Sequence, residues 1–266
     1  MVTQPLDALP LWGLLLLVAV VLWLAMEGGY RIGQWRHLQA PDERDQPVGA
    51  MVASILGLLA LVLGFTFSLA ASRFEARRQV VLDEANAVGT TYLRSRLLPE
   101  PQRAETSRLL REYIQVRIRG VQEGDPDAAI KESERIHELL WAQAAAAGAQ
   151  DRGSIMTGLF VQSLNELIDL HAKRVLVGLR SRLPLIIWAG LYGLAMLGMA
   201  AVGYQSGLAA TRRSPAMLGL VVAFSLVLYL IADLDRGQEG LLRVSQQAMI
   251  DVQRSMQPVA ASSRQP

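Results

Sequence analysis

The chain has 266 residues, 52% apolar and 19% charged, with a formal net charge of +2 and no cysteine. That apolar excess is out of proportion for a water-soluble domain of this length and points to membrane segments. The small net charge argues against nucleic acid as a partner, and the lack of cysteine excludes disulfides, thiolate nucleophiles and cysteine-ligated metals.

Four long runs without charge appear in chain order: Ala8–Met26, Gln46–Ser72, Leu183–Thr211 and Pro215–Ala232. A helix crosses a bilayer core with about 20 mostly apolar residues, which predicts four spans near 9–29, 48–71, 184–204 and 215–232. No Lys or Arg precedes the first run and Glu27-Gly28-Gly29 breaks off behind it, so it reads as an uncleaved span rather than a signal peptide. The expected organisation is a first helix pair in 1–72, a helical block in 73–182 and a second pair in 183–232. A tail in 233–266 carries a short amphipathic helix and a disordered end.

The second run passes into charged sequence without a proline or turn residue, as "GFTFSLAASRFEARRQVVLDEANAVGTTYLR" (Gly64–Arg94). Phe74, Arg78, Val81, Ala85, Val88 and Tyr92 recur at spacings of four and three, beside a polar stripe of Gln79, Asp83, Asn86 and Thr90. This predicts one helix of about 45–50 residues, stopped near Leu98 by Pro99 and Pro101. Further helices are predicted at Gln102–Gln122, Asp127–Ala147 with Gly148 as the stop, and Ser154–Arg182. No period-2 alternation suggests strands, so the fold class is all-α, with the block extending spans two and three.

Three groups of residues are candidate sites. Ser54, Gly57, Gly64, Ser68 and Ala71 put small side chains on one face of the second span, either for close helix packing or to line a pore. Phe65 is carried with that face; Phe67 sits about 200° away around the helix, so the two cannot both gate one narrow axis. Arg73, Arg77 and Arg78 leave the second span on the side where Asp233, Asp235 and Arg236 leave the fourth. They read either as an anchoring ring of paired interfacial charges or as a vestibule that concentrates anions.

The third group lies in the block: Asp83, Glu84 and Asn86 on one helix, with Asn165, Glu166, Asp169, His171 and Arg174 on another. His171 continues the stripe Phe160, Leu164, Leu167, so it faces other helices, and a buried hydrogen-bonded network that fixes register is expected. The only other histidine of the block is His137, short of the ligand set of a catalytic zinc, so no metal site is expected. No phosphate-cradling glycine loop, serine elbow or nucleophile–histidine spacing is present, which argues against an enzyme, and no cofactor is called for. Gly190, Gly193, Gly198 and Gly203 of the third span read as packing positions.

Four strings taken together resemble the bestrophin-like domain family of bacterial membrane proteins: the Gly64–Arg94 segment, "LNELIDLHAKR" (Leu164–Arg174), "GYQSGL" (Gly203–Leu208) followed by "RRS", and "DLDRGQEGLLRVSQQ" (Asp233–Gln247). The chain departs from the family at Gly237, where a proline is expected, and near Ala248-Met249, where a Pro-Leu is expected. The resemblance implies a distant likeness to bestrophins, which are oligomeric anion channels with four spans and a helical cytoplasmic part. It therefore implies a homo-oligomer in the lipid bilayer of a bacterial inner membrane, with anions as the conducted species. The expected alternative is a non-conducting scaffold or sensor whose block binds a protein partner. Four spans put both termini and the block on one side, and the excess of membrane-proximal arginines there favours the cytoplasm.

Overall fold

The structure, a computed structural model, describes residues 9–39, 45–180, 182–210, 215–236 and 240–257. Its helices are α1 (Leu11–Gln39), α2 (Asp45–Ser95), α3 (Gln102–Gln122), α4 (Pro126–Gln150) and α5 (Ile155–Val175), the last followed by a π-helical turn at Leu176–Arg180. Then come α6 (Leu185–Leu208), α7 (Pro215–Arg236) and α8 (Gln247–Ser255). The fold is all-α. Helices α1, α2, α6 and α7 are each long and apolar enough to cross a membrane. The chain divides into two compact units, one of Met1–Phe74 with Ser181–Arg243 and one of Glu75–Arg180 with Val244–Pro266.

In the first unit, α1 and α6 meet backbone to backbone. A Cβ added at Gly29 would fall on the Ala200 carbonyl, and one at Gly33 on that of Tyr204. Reciprocally, a Cβ at Gly203 would strike the Met26 carbonyl, and one at Gly207 that of Tyr30. Two glycine pairs at a spacing of four, one on each helix, thus interlock. This close approach explains why α1 does not end at Gly28-Gly29, as the sequence suggested, but runs to Gln39. The cost of about 1 kcal/mol that each glycine brings to a helix interior is outweighed by contact that no larger residue permits. Leu59, Leu63 and Ala70 of α2 and Leu228 and Ile231 of α7 are buried in the same core as Leu22, Leu191 and Met199.

Helix α2 has 51 residues and no interruption, matching the expectation of a single long helix. Its apolar part ends at Ser72, and from Glu75 it belongs to the second unit. The approach to the third span is different. The predicted helix to Arg182 gives way at the π-helical turn, and α6 starts only after Pro184. Proline lacks the N–H that a helix interior uses and disfavours helical geometry at Leu183 before it.

The second unit packs the end of α2 with α3, α4, α5 and α8. Tyr113, Ile114, Leu109, Leu110, Ile136, Leu140, Phe160, Leu164 and Leu167 are fully buried there. At about 1.5–3 kcal/mol for each fully buried large apolar side chain, this core is the main stabilising term of the unit. Asp125 caps α4 by accepting from the Ala128 N–H ahead of Pro126, and Ser154 caps α5 from the Thr157 N–H. Gly124 takes the left-handed backbone of the α3–α4 turn. Helix α4 runs through Gly148 to Gln150 instead of stopping there, because Ala144 and Ala147 are buried and hold the last turns in place. The short tail helix, α8, buries Met249 against this core. The expected disordered end, residues 258–266, lies outside the described residues, as do Arg44, Arg212, Arg213 and Gly237.

Candidate functional site

On α2 the packed stripe is Val52, Leu59, Leu63, Thr66 and Ala70, all buried. The small-residue face lies elsewhere on the helix. Ser54, Gly57, Gly64 and Ser68 are exposed, Ala71 is half-buried and Phe65 is 69% exposed. A Cβ at Gly57 or Gly64 would meet nothing within 4 Å. The close contact that small residues permit is therefore made by α1 and α6, whereas the α2 face is uncovered in the single chain.

The boundary aspartates accept from backbone N–H groups. Asp233 is fully buried, and its two oxygens accept from the N–H groups of Leu241 and Leu242 at 3.1 and 3.2 Å. Gly240, with φ of 95°, turns the chain toward it, and any Cβ there would collide with the carboxylate. Asp235 accepts from the Leu183 N–H at 2.9 Å and from Arg182 Nε at 3.4 Å, so it caps the chain entering α6. Arg236 donates to the Leu9 carbonyl at 2.7 Å. On α2, Arg73 is half-buried, Arg77 is 5% exposed, and Arg78 points outward 3.6 Å from Glu75.

The second unit encloses a polar cluster centred on Glu84, which is fully buried. Its Oε1 accepts from the Tyr113 hydroxyl and its Oε2 from Arg174, while Arg117 Nε lies 3.1 Å from Oε1. The Tyr113 proton being committed to Glu84, the 3.1 Å contact between Tyr113 and His171 makes Nδ1 of His171 the donor. Arg174 also donates to Gln246 at 2.8 Å. The His137 ring sits edge-on to His171, centroids 4.8 Å apart, and 5.1 Å from Tyr113. Among the described residues, Nε2 of neither imidazole has a hydrogen-bond partner.

Burial alone would raise the Glu84 pKa, but Arg174, then Arg117, and the bonds from His171 and Tyr113 together hold the carboxyl far below its usual range. Burial, reinforced by the Glu84 charge, pushes the Tyr113 hydroxyl well up. Burial also lowers Arg174, against the pull of Glu84. His137 is brought down to about 4, chiefly by burial and then by His171, although Glu84 pulls the other way. The cluster thus holds one carboxylate against two guanidiniums beside a neutral His137.

Of the network residues named from sequence, the structure brings together Glu84, His171 and Arg174. Asp83 instead accepts from Gln79 at 2.8 Å, and Asn86, Asn165, Glu166 and Asp169 are exposed. No group of three or more metal-ligating side chains occurs among the described residues.

With this architecture in place, comparison with known proteins decides the family. The sequence profile of the bestrophin-like domain matches residues 12–249. The chain belongs to the bestrophin-like family. No curated protein matches this bestrophin-like chain in sequence. Its fold is similar to crystal structures of a bacterial bestrophin homologue from Klebsiella pneumoniae carrying single substitutions. One has a TM-score of 0.68 at 16% identity, covering 91% of this chain and 96% of that one. A second has a TM-score of 0.65, also at 16% identity and with the same coverage. A further structure, described as a membrane protein, gives a TM-score of 0.63 at 18% identity, covering 91% and 96%.

Sequence reasoning missed Tyr113, Arg117, His137 and Gln246 in this bestrophin-like chain. A signal existed for three of them. His137 continues the buried α4 stripe Ala129, Ser133, Leu140, Ala144, and Tyr113 and Arg117 continue the α3 stripe from Leu109 and Leu110. Gln246 lies just before α8 and carries no periodicity that would have marked it.

Proposed function

We propose that the chain is one subunit of an oligomeric channel for anions, with α2 lining the conduction path. The uncovered α2 face carries this reading. Of the four apolar helices, α2 is the least buried, with 17% of its most apolar window covered against 28% for α1 and α6 and 39% for α7. Its exposed surface carries Ser54, Gly57, Gly64 and Ser68 along one stripe, interrupted by Leu61, beside exposed Leu58 and Leu69. The small residues leave room for neighbouring helices to approach or for a path between them. Further copies of the chain give that face a partner and a water-filled axis. Arg73, Arg77 and Arg78 follow directly on the same helix and bias its end toward negative ions.

In this reading the channel lies in a bacterial inner membrane. Both termini and residues 73–182 lie on the cytoplasmic side, where the arginine excess is expected. The aspartates serve as structural acceptors, the conduction needs no cofactor, and no enzymatic step is involved. The test is chloride efflux from liposomes holding purified protein, with Phe65→Ala compared against wild type. Efflux above that of empty vesicles, altered by Phe65→Ala, is the expected result; vesicles no leakier than empty ones across pH and calcium overturn the reading. A second reading is a non-conducting scaffold, favoured by exposed Leu82 and Leu93 on α2, Leu97 in the turn after it and Trp141 on α4, apolar side chains suited to a protein partner.

A further inference from the structure

We propose that His137, packed edge-on against His171, forms a proton-operated latch, closed while His137 is neutral and released when it takes up a proton. The inference concerns the helical unit alone and holds whether or not the protein conducts. His137 is 7% exposed and His171 4% exposed, in edge-to-face contact between α4 and α5. The groups that face His137 come from every neighbouring helix. They are Glu84 of α2, Tyr113 and Arg117 of α3 and His171 of α5, with Arg174 of α5 reached through Glu84 and neutral Gln246 ahead of α8 reached through Arg174. On α4 itself, Glu134 and Glu138 are exposed to solvent and so are poorly placed to pair with a buried imidazolium.

The single carboxylate of the cluster is already committed. Glu84 accepts from Tyr113 and Arg174 and lies against Arg117. A proton on His137 adds a third cation to this set and leaves Nε2–H buried with no acceptor among the described residues. A buried charge without a partner is expelled or neutralised. In the folded unit His137 therefore stays neutral well below the usual imidazole range. Acid instead favours an opened form in which α4 swings its imidazolium into water. The sign follows from linkage. A histidine whose folded pKa is depressed loses its stabilising contribution as pH falls from about 6.5, the ordinary value, toward about 4.

Hydrogen exchange of the full chain in lipid nanodiscs, corrected for the intrinsic pH dependence of amide exchange, tests the latch. Between pH 7.5 and 5, amides of α4 are expected to lose protection reversibly, by roughly tenfold per pH unit below about 6.5. His137→Gln is expected to remove that dependence, and His37→Gln, a change at the one histidine outside this cluster, to leave it intact. Should His137→Gln fail to fold, 15N shifts of the wild-type imidazoles still decide, because protonation of His137 must coincide with α4 opening. Unchanged α4 protection down to pH 5, an equal loss in a folded His137→Gln protein, or protonation of His137 with α4 still protected each overturns the proposal.

Discussion

Glu84 shows how one side chain can hold a helical unit together at a cost. Its carboxylate satisfies a tyrosine and two guanidiniums, so removing its charge leaves two buried cations without a counterion. Glu84→Gln is expected to lower stability by about 3 kcal/mol or more, read as a large drop in thermal unfolding temperature in detergent. Asp233 works differently, through the backbone N–H groups of Leu241 and Leu242. Asp233→Ala is expected to cost about 1–3 kcal/mol and to raise exchange at the Leu241 and Leu242 amides ahead of the rest of that unit. His137 adds a pH term. Between about pH 6.5 and 4 the unfolded chain binds a proton that the folded chain refuses, so stability falls with pH by up to about 1.4 kcal/mol per unit. Melting curves of His137→Gln should lose that limb. At this scale the sequence was half legible. His171 could be placed on an apolar stripe, but a stripe says only that a residue is buried, and its partners across α3 and α4 are set by tertiary packing.

At the scale of the helices, the long runs and the proline and cap signals were readable because they act locally. Helices α2 and α3 fall where hydrophobic period and proline placed them, and Pro184 ends what periodicity alone would have continued. The glycines were the weak point. Gly28-Gly29 looked like a helix end and Gly190, Gly193 and Gly203 looked alike, yet Gly203 is pressed on α1 while Gly190 and Gly193 face open space. Local sequence cannot tell a glycine that frees the backbone from one that admits a neighbour. The two kinds separate by mutation: Gly203→Val is expected to unfold the first unit or cost several kcal/mol, whereas Gly190→Val is expected to stay within about 1 kcal/mol of wild type. Thermal stability of the two purified variants checks the contrast.

For the whole molecule, four apolar helices and an all-α fold were legible because hydropathy needs no partner information, whereas assembly leaves only indirect marks such as an uncovered face. The lack of cysteine permits a clean test of that face. Single substitutions Gly57→Cys and Ser68→Cys, on the exposed side of α2, are expected to give disulfide-linked dimers on mild oxidation in membranes. Leu59→Cys, facing the core, is expected to give none. The joint between α1 and α6 has a consequence of its own. Gly29, Gly33, Gly203 and Gly207 already carry the smallest side chain available, so enlargement on one helix has no shrinkage on the other to answer it. Most core positions can drift in compensated pairs; these four cannot, and descent should leave them fixed while the residues around them diverge.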